Sequence, residues 1–317
     1  MERFTYDVSI LQQMTAREIY GKKLAEEGEK DSRIVVLTAD LMRANKTGDF
    51  KNKYPSRFYN TGIAEQDMMG IAAGMALEGL MPFASTFSTF ASMRACEQVR
   101  MDICYPNLPV RIVATHSGLT SGMGPTHYSQ EDIAITRSFI NMTVIVPGDP
   151  NQIGKVVEAS LSYPGPIYIR IGRGMEPVVY EDDYEYVIGK AIEVKTGKDA
   201  AIIACGVTVS YALEAASKMS EKGKDVRVID MHTIKPLDRQ AVIDAARTGT
   251  IVTVEDHNIT GGLGTAVAEV LAEENISCRF KRLGIPNVFA AVGTPEELYA
   301  KYGYDGDGIF ATLQGLL

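Results

Sequence analysis

Two short stretches place an acid and a pair of aromatic rings where they could serve a ligand. Glu65 follows Gly62 at the start of a run of small and apolar residues that ends near residue 79. Alone, such a glutamate is typical of the first turn of a helix, where a carboxylate meets the positive end of the helix dipole. Phe83, Phe87 and Phe90 follow a short predicted strand, and the last two would share one face if their segment is already helical. That pair would form either a core contact or a flat platform for a ring.

A third stretch carries two histidines in one loop. A predicted strand at 110–115 continues into a glycine-rich loop that begins at His116 and ends at His127. In open α/β sheets, ligands bind at the loops that leave the carboxyl ends of strands. Neither histidine has a metal-ligand partner at a useful spacing. A single histidine is usually structural, but two in such a loop favour proton transfer or hydrogen bonding to a polar substrate.

The elements that must position these residues alternate along the chain. Apolar runs predict strands at Ile34–Thr38, Val110–Thr115, Val144–Val146, Ile167–Ile171, Ala201–Ala204, Val226–Ile229 and Thr250–Val254. Helical patterns lie at about Ala16–Glu27, Ala64–Leu77, Ala91–Cys104, Gln152–Ser162, Ala212–Lys222 and Thr265–Glu274. This alternation predicts two α/β domains, residues 1–185 and 186–317, each a mostly parallel sheet flanked by helices. The acidic segment Met175–Lys190 is the predicted linker.

The composition excludes several classes of protein. The 317 residues are 45% hydrophobic and 23% charged, and the net charge of −8 argues against a nucleic-acid partner. No stretch approaches the roughly 20 apolar residues that span a membrane, and the first residues lack an apolar signal core. The four cysteines show no CxxC pairing, so neither a disulfide framework nor a zinc site is indicated. We therefore expect a cytoplasmic protein.

Taken together, these motifs resemble one enzyme family. GIAEQDM (62–68), STFSTFASM (85–93) and VATHSGLTSGMGPTH (113–127) are similar to the pyrimidine-binding domain of thiamine-diphosphate enzymes of the transketolase type. TIKPLD (233–238) and VEDHNITGGLGTAVAE (254–269) resemble the C-terminal domain of the same family. The resemblance covers nearly the whole chain in the family's order. It implies that residues 1–185 bind the cofactor's pyrimidine and that residues 186–317 form the C-terminal domain.

The resemblance implies roles in cofactor binding for four residues. Glu65 matches the glutamate that hydrogen-bonds the cofactor's pyrimidine nitrogen and thereby activates it. Phe90 matches the residue that stacks on the pyrimidine, with Phe87 beside it. Asp40 matches an aspartate close to the cofactor, where its charge could balance that of the thiazolium. At Met93 the family often has a tyrosine, so one polar contact is lost here.

Substrate contacts also follow from the resemblance. His127 matches a histidine that contacts the reacting sugar, and His116 matches one directed toward the substrate's phosphate end. Arg17 and Arg173 match phosphate-binding arginines, whose guanidinium fork suits a phosphate. Arg170 is the adjacent alternative to Arg173, because the two lie in one short IRIGRG segment. As alternatives, Arg17 could be a solvated helix residue and Arg173 a loop charge.

Two positions depart from the family pattern. Met123 stands where typical transketolases have an aspartate that recognises a substrate hydroxyl, and Ala44 stands where they have a serine near the sugar phosphate. The substrates are therefore expected to differ from the xylulose and ribose phosphates of the pentose phosphate pathway.

A diphosphate-binding GDG…N motif is missing from this sequence. The GDP at 148–150 has the wrong context, and we interpret the DGDG at 305–308 as a turn in the tail. The resemblance therefore implies the second half of a split transketolase, in which an N-terminal subunit holds the diphosphate through Mg²⁺ or Ca²⁺. We expect an α₂β₂ heterotetramer in which two copies of this chain pair through the glycine-rich surface at 62–79. Alternatively, that surface packs only against other parts of the same chain.

Three functions remain open from the sequence. The first is the catalytic half of a two-subunit transketolase acting on sugar phosphates. The second is the β subunit of a 2-oxo acid dehydrogenase or a relative of deoxyxylulose-phosphate synthase; GPTH with His116 upstream favours ketol transfer over oxo-acid oxidation. The third is a regulatory or scaffolding subunit without catalytic activity. A scaffold would need none of Glu65, His127, Phe87 and Phe90 together.

Overall fold

The computed structural model describes residues 13–181 and 184–317. The strands are β1 (Gln13–Thr15), β2 (Ile34–Thr38), β3 (Phe58–Asn60), β4 (Met81–Phe87), β5 (Arg111–Thr115), β6 (Thr143–Ile145), β7 (Ile167–Arg170), β8 (Met175–Pro177), β9 (Ile192–Lys195), β10 (Ala200–Ala204), β11 (Val226–Asp230), β12 (Thr233–Lys235), β13 (Thr250–Asn258) and β14 (Arg279–Ile285). The helices are α1 (Ala16–Lys30), α2 (Met42–Asn45), α3 (Gly48–Lys53), α4 (Glu65–Leu77), α5 (Cys96–Gln98), α6 (Asp132–Ser138), α7 (Pro150–Ser160), α8 (Thr208–Glu221), α9 (Arg239–Ala246), α10 (Leu263–Glu273), α11 (Pro295–Tyr302) and α12 (Gly306–Leu316). A 3₁₀ turn (Pro55–Arg57) and two π-helical turns, Phe90–Arg94 and Val99–Cys104, complete the described elements.

The first sheet has seven strands within the described residues, in the order β12-β6-β7-β5-β4-β2-β3. All neighbouring pairs are parallel except β12 with β6. Strand β2 shows how both faces are buried: Val35 and Leu37 belong to the same apolar cluster as α4, whereas Ile34 and Val36 belong to the cluster that contains α1. Because successive strand residues point to opposite faces, burial on both sides requires the near-continuous apolar run seen in the sequence.

The second sheet is built by the second half of the chain. Its strand order is β14-β13-β10-β11-β9, parallel except for the edge strand β9. Strand β12 leaves this half and joins the first sheet beside β6, so the two halves share a hydrogen-bonded ladder. A short antiparallel pair, β1 with β8, lies apart from both sheets. The predicted fold, two α/β domains with mostly parallel sheets flanked by helices, is confirmed.

Two local predictions from the sequence are wrong. Phe83 and Phe87 do not follow a short strand, because both lie within β4, and only Phe90 begins the helical segment. The DGDG segment is not merely a turn in the tail. The Asp305 carboxylate accepts a hydrogen bond from the Gly308 amide at 2.9 Å and caps α12, which continues to Leu316. No helix in the described part of the chain is long and apolar enough to cross a membrane.

Candidate active site

The predicted site residues meet at one edge of the first sheet. Four neighbouring parallel strands, β7, β5, β4 and β2, end there. Their carboxyl ends lead directly into the loops that carry Arg173, His116, Phe90 and Asp40, respectively. This is the edge at which open α/β sheets bind ligands. We call the following residues the edge site: Arg17, Asp40, Glu65, Phe87, Phe90, His116, His127 and Arg173.

Glu65 is the first residue of α4 and is 1% exposed. One carboxylate oxygen, Oε1, accepts a long hydrogen bond of 3.4 Å from the Thr86 hydroxyl on β4. The other, Oε2, accepts one of 2.8 Å from Nη1 of Arg94, which forms an ion pair with it. The Arg94 guanidinium also lies over the ring of Phe90, 4.0 Å from the ring centre. The acid and the aromatic platform expected from the sequence are therefore neighbours.

The rings of two phenylalanines and two histidines form one cluster. Phe87 and Phe90 are stacked with centroids 5.8 Å apart, although Phe87 ends a strand and Phe90 begins a π-helical turn. The His116 ring lies 3.9 Å from that of Phe87, centroid to centroid. His127 presents its ring nearly edge-on to both phenylalanines, at 6.1 Å from Phe87 and 5.4 Å from Phe90. The two histidines thus line the space beside the predicted cofactor platform.

His116 is held in an unusual backbone conformation and in a neutral state. It has a φ of +59°, in the left-handed region that non-glycine residues seldom adopt. Its Nδ1 lies 2.9 Å from the Thr115 hydroxyl. Burial, together with the positive charges of Arg17 and Arg173, lowers the pKa of His116 to about 3. At neutral pH this side chain is a hydrogen-bonding group rather than a proton donor with a full charge.

Asp40 also adopts a left-handed conformation, with a φ of +58°. Its amide donates to Oδ1 of Asn60 at 2.9 Å, and Nδ2 of Asn60 donates back to its carboxylate at 3.2 Å. The Asp40 side chain is exposed, directly after the carboxyl end of β2. Asp40 and His116 are two of six non-glycine residues with positive φ among the described residues, and both follow strands that end at this edge of the sheet, where strained residues often serve function.

Arg17 and Arg173 approach each other at the rim of the edge site. Nη1 of Arg17 donates to the carbonyl of Ala44 at 2.6 Å, and Nη1 of Arg173 donates to the carbonyl of Ser121 at 2.7 Å. Burial and the nearby charge of Arg173 lower the pKa of Arg17. The buried Nε of Arg17 makes no hydrogen bond to any residue that the structure describes. Two like charges with an unused buried donor are arranged to receive an anion.

Arg170 lies elsewhere, so it does not replace Arg173 in the edge site. Its side chain is 4% exposed and donates from Nε to the carboxylate of Asp132 at 2.8 Å. Nη2 donates to the carbonyls of Ser129, at 3.2 Å, and Asp256, at 2.8 Å. With these donors already used inside the protein, Arg170 stabilises the interior and is not available to a phosphate.

Arg170 belongs to a second polar group that the sequence did not predict. We call the junction cluster the following side chains: Asp132, Tyr168, Arg170, Asp256, Tyr299 and Tyr304. The Asp256 carboxylate accepts hydrogen bonds from the hydroxyls of Tyr299, at 3.1 Å, and Tyr304, at 3.0 Å. It also accepts from the Leu119 amide at 3.2 Å, which ties the histidine loop to the second half of the chain.

Sequence reasoning also missed Arg94, Thr86 and Asn45. Asn45 accepts a hydrogen bond of 2.8 Å from the Thr115 hydroxyl, next to His116. Arg94 could have been found from its spacing, because it lies four residues after Phe90 in the helical segment. The two departures from the family pattern lie where expected: Ala44 contacts Arg17, and Met123 is exposed in the histidine loop.

The surface at residues 62–79 has the features expected of a contact between copies. Ile63, Leu77 and Ile71 are 78%, 69% and 36% exposed, respectively. A methyl group built on Gly74 would meet no atom within 4 Å, so that side of α4 is open. The opposite side of α4 packs in the core through residues such as Met68 and Ala72. This side of α4 is therefore a candidate surface for contact with a second copy.

Comparison with known proteins identifies the family. Residues 12–177 match the transketolase pyrimidine-binding domain, and residues 189–309 match the transketolase C-terminal domain. The chain belongs to the transketolase family. The resemblance recognised in the motifs is thereby confirmed. A transketolase pyrimidine-binding domain implies thiamine diphosphate as the cofactor.

Transketolase relatives include both split and single-chain proteins. The chain is 40% identical over 302 residues to an apulose-4-phosphate transketolase subunit of Phocaeicola vulgatus, covering 94% of this chain and 96% of that one. A solved split gene transketolase, described as an inactive beta4 tetramer, superimposes with a TM-score of 0.90 at 44% identity and covers 96% of this chain and 98% of that one. A 1-deoxy-D-xylulose-5-phosphate synthase of Syntrophotalea carbinolica is 38% identical, but the match spans only 48% of its length. This chain therefore corresponds to the β subunit of a split transketolase-family enzyme.

The edge site fits the pyrimidine of thiamine diphosphate. Nη1 of Arg94 lies 2.8 Å from Oε2 of Glu65, and the Arg94 guanidinium lies 4.0 Å from the centre of the Phe90 ring. This flat, hydrogen-bond-donating group therefore contacts both the acid and the aromatic platform. An aminopyrimidine needs the same two partners.

Among the side chains that the structure describes, no three His, Cys, Asp or Glu residues are grouped so that they could hold a metal ion.

Proposed function

We propose that this chain is the catalytic β subunit of a two-subunit transketolase, which transfers a two-carbon ketol unit from a ketose phosphate to an aldose phosphate. The observation that carries the proposal is the meeting, at one sheet edge, of Glu65 with the Phe90 platform, two histidines and two arginines that interact electrostatically. Each group has a separate part in binding the cofactor or the sugar.

In this proposal, thiamine diphosphate supplies, when bound, the nucleophilic carbon that carries the two-carbon unit. Glu65 holds the pyrimidine nitrogen by a hydrogen bond from a position shielded from water. Phe90 stacks on the ring, and Phe87 supports Phe90 from the end of β4. Asp40 lies near the cofactor's positive charge. His127 and neutral His116 hydrogen-bond the sugar oxygens on the open side of the ring cluster.

The phosphate end of the sugar binds between Arg17 and Arg173 in this proposal. Their mutual repulsion and the unused Nε of Arg17 favour a dianion there. Met123 and Ala44 lie beside the sugar's path, so the donor and acceptor differ from xylulose and ribose phosphates. The relative named for apulose 4-phosphate is an example of a split transketolase with another substrate.

The assembly is the remaining part of the proposal. An N-terminal subunit binds the diphosphate through Mg²⁺ or Ca²⁺, and two copies of each chain form a cytoplasmic α₂β₂ tetramer. The open, apolar side of α4, with Ile63 and Leu77, pairs the two copies of this chain. In the absence of the partner, the chain forms a homodimer.

The test is reconstitution with an N-terminal transketolase subunit and assay against a panel of ketose and aldose phosphates. Two-carbon transfer between sugar phosphates supports the proposal. Carbon–carbon bond formation from pyruvate and an aldose phosphate, with release of carbon dioxide, would instead support a relative of deoxyxylulose-phosphate synthase. Decarboxylation of a 2-oxo acid with transfer of the acyl group to a lipoyl thiol would support the β subunit of a 2-oxo acid dehydrogenase. A complex that assembles but acts on neither class, while changing the activity of a complete homologue, would support a regulatory or scaffolding subunit.

A further inference from the structure

Arg94 makes the same two contacts that an aminopyrimidine would need. Its Nη1 donates to Oε2 of Glu65 at 2.8 Å, and its guanidinium lies 4.0 Å from the centre of the Phe90 ring. A guanidinium is flat, carries N–H donors in its plane and stacks on aromatic rings. An aminopyrimidine is also flat and stacks on aromatic rings, and its ring nitrogen can share a proton with the carboxyl group of Glu65. Because Oε2 and the ring face are each engaged by Arg94, a pyrimidine bound there would have to displace it.

The burial of Glu65 explains why Arg94 contacts its carboxylate when no ligand is bound. The carboxylate is 1% exposed, and its other contact is the long 3.4 Å bond from Thr86. A buried carboxylate without partners is costly, so a chain that lacks its ligand needs an internal donor. Arg94 provides that donor across 29 residues of sequence.

We propose that Arg94 occupies the place of the cofactor's aminopyrimidine in the free chain and leaves it when the cofactor binds. This inference rests on the proposed function, because it takes Glu65 and Phe90 as the pyrimidine site. Arg94 then has two opposite effects: it stabilises the unliganded chain, and it competes with the ring that the site must receive.

The position of Arg94 allows it to leave. Its side chain is 45% exposed, so it can turn into solvent without crossing the core. It ends the π-helical turn that begins at Phe90, in which the Ala95 amide donates to the Phe90 carbonyl at 3.1 Å. Residues four apart on a helix are neighbours, so the Arg94 guanidinium can reach the face of the Phe90 ring. Such π-helical turns recur at functional sites.

The experiment uses the full chain alone and 4-amino-2,5-dimethylpyrimidine, the ring of thiamine without its thiazolium and diphosphate, as the probe. Binding is measured by NMR titration for the wild type, Arg94→Ala, and the matched control Arg100→Ala. Arg100 is also exposed and lies on the same helical stretch, where its Nη1 contacts the sulfur of Met101 rather than Glu65. Melting temperatures of the three unliganded chains are measured in parallel.

We expect Arg94→Ala to bind the probe about tenfold more tightly than the wild type and to melt at a lower temperature, because a stacked, charge-assisted contact is removed. Arg100→Ala should match the wild type in both. Adding Glu65→Gln to Arg94→Ala should abolish the gain. Equal, measurable affinity in the wild type and Arg94→Ala would overturn this inference alone. If Arg94→Ala does not bind the probe up to its solubility limit, Glu65 and Phe90 are not the pyrimidine site, and the proposed function loses its cofactor site as well.

Discussion

The edge site and the junction cluster hold the same kinds of charged residue but use them differently. In the junction cluster, Arg170 is 4% exposed, and its Nε and Nη2 donate to groups inside the protein. In the edge site, Arg173 is exposed and its side chain donates to one carbonyl, that of Ser121. The two arginines are three residues apart at the end of the same strand. We infer that Arg170 stabilises the fold, whereas the Arg173 guanidinium has donors available for a ligand.

Backbone geometry separates the two regions in the same way. The edge site contains Asp40 and His116, both with left-handed backbone conformations. The junction cluster instead joins elements of regular structure: β7 through Arg170, β13 through Asp256, and α11 through Tyr299. The backbone strain at Asp40 and His116 is tolerated because the surrounding contacts fix the ends of the strands that precede them, β2 and β5. Changes in the junction cluster should therefore affect stability, and changes in the edge site should affect activity.

The largest effect is expected from Asp132→Asn in the junction cluster. It leaves the charge of Arg170 buried without its partner, and breaking such a pair costs about 3–5 kcal/mol. The free energy of unfolding in urea measures this cost. The matched control is Asp40→Asn, at an exposed position of the edge site, which should cost less than about 1 kcal/mol. Similar costs for the two variants would remove the distinction between the regions.

The next effect is expected from Glu65→Gln. The amide cannot share a proton with the pyrimidine nitrogen, so turnover by the reconstituted enzyme should fall by about 10² or more. The fold should be kept, because the amide keeps the shape of the side chain and its oxygen can still accept the hydrogen bond from Arg94. Glu97→Gln, at an exposed position on α5, serves as the control. Near-normal turnover in the Glu65 variant would show that this glutamate does not activate the cofactor.

A smaller effect is expected from Arg173→Ala. The KM for phosphorylated ketoses should rise about tenfold, with little change for unphosphorylated donors, because binding remote from the reacting bond is removed. Arg247→Ala, on the surface of the second half, should leave both KM values unchanged. If phosphorylated and unphosphorylated donors are affected equally, Arg173 has a structural role like that of Arg170.

The smallest effect concerns pH and a buried carboxyl outside the edge site. Asp230, at the end of β11, is fully buried, and burial raises its pKa to about 7 against the lowering effect of hydrogen bonds from Tyr180 and Gln152. The folded chain therefore keeps a proton there that the unfolded chain has already lost. This contribution to stability is present at low pH and is lost as the pH rises through about 7. The wild type should lose a few degrees more than Asp230→Asn between pH 5 and 7, as calorimetry would show. Parallel curves would mean that Asp230 is already ionised in the folded chain.

The sequence predicted β2, β5, β6 and β7 of the first sheet and the loops that follow them, because buried parallel strands are nearly continuous apolar runs. It did not predict β3 and β12, and it placed the strand β4 too early. It could not decide between Arg170 and Arg173. Arg170 is the last residue of β7 and pairs with Asp132, 38 residues earlier in the sequence, whereas Arg173 follows the strand. A contact so distant in the sequence does not show in the local pattern. The contact of Arg94 with Glu65 is also non-local and was missed. Helix α12 was not predicted because Gly306 and Gly308, which have low helix propensity, lie in its first turn, which Asp305 caps.

Calorimetric titration with thiamine diphosphate and Mg²⁺ tests most directly whether the edge site is half of a cofactor site. Glu65 and Phe90 offer partners for the pyrimidine, while no group of three metal-binding side chains occurs among the described residues. The chain alone should therefore bind the cofactor poorly and show no ketol transfer. Addition of the N-terminal subunit should produce tight, metal-dependent binding together with turnover. Tight binding and turnover by this chain alone would contradict the account.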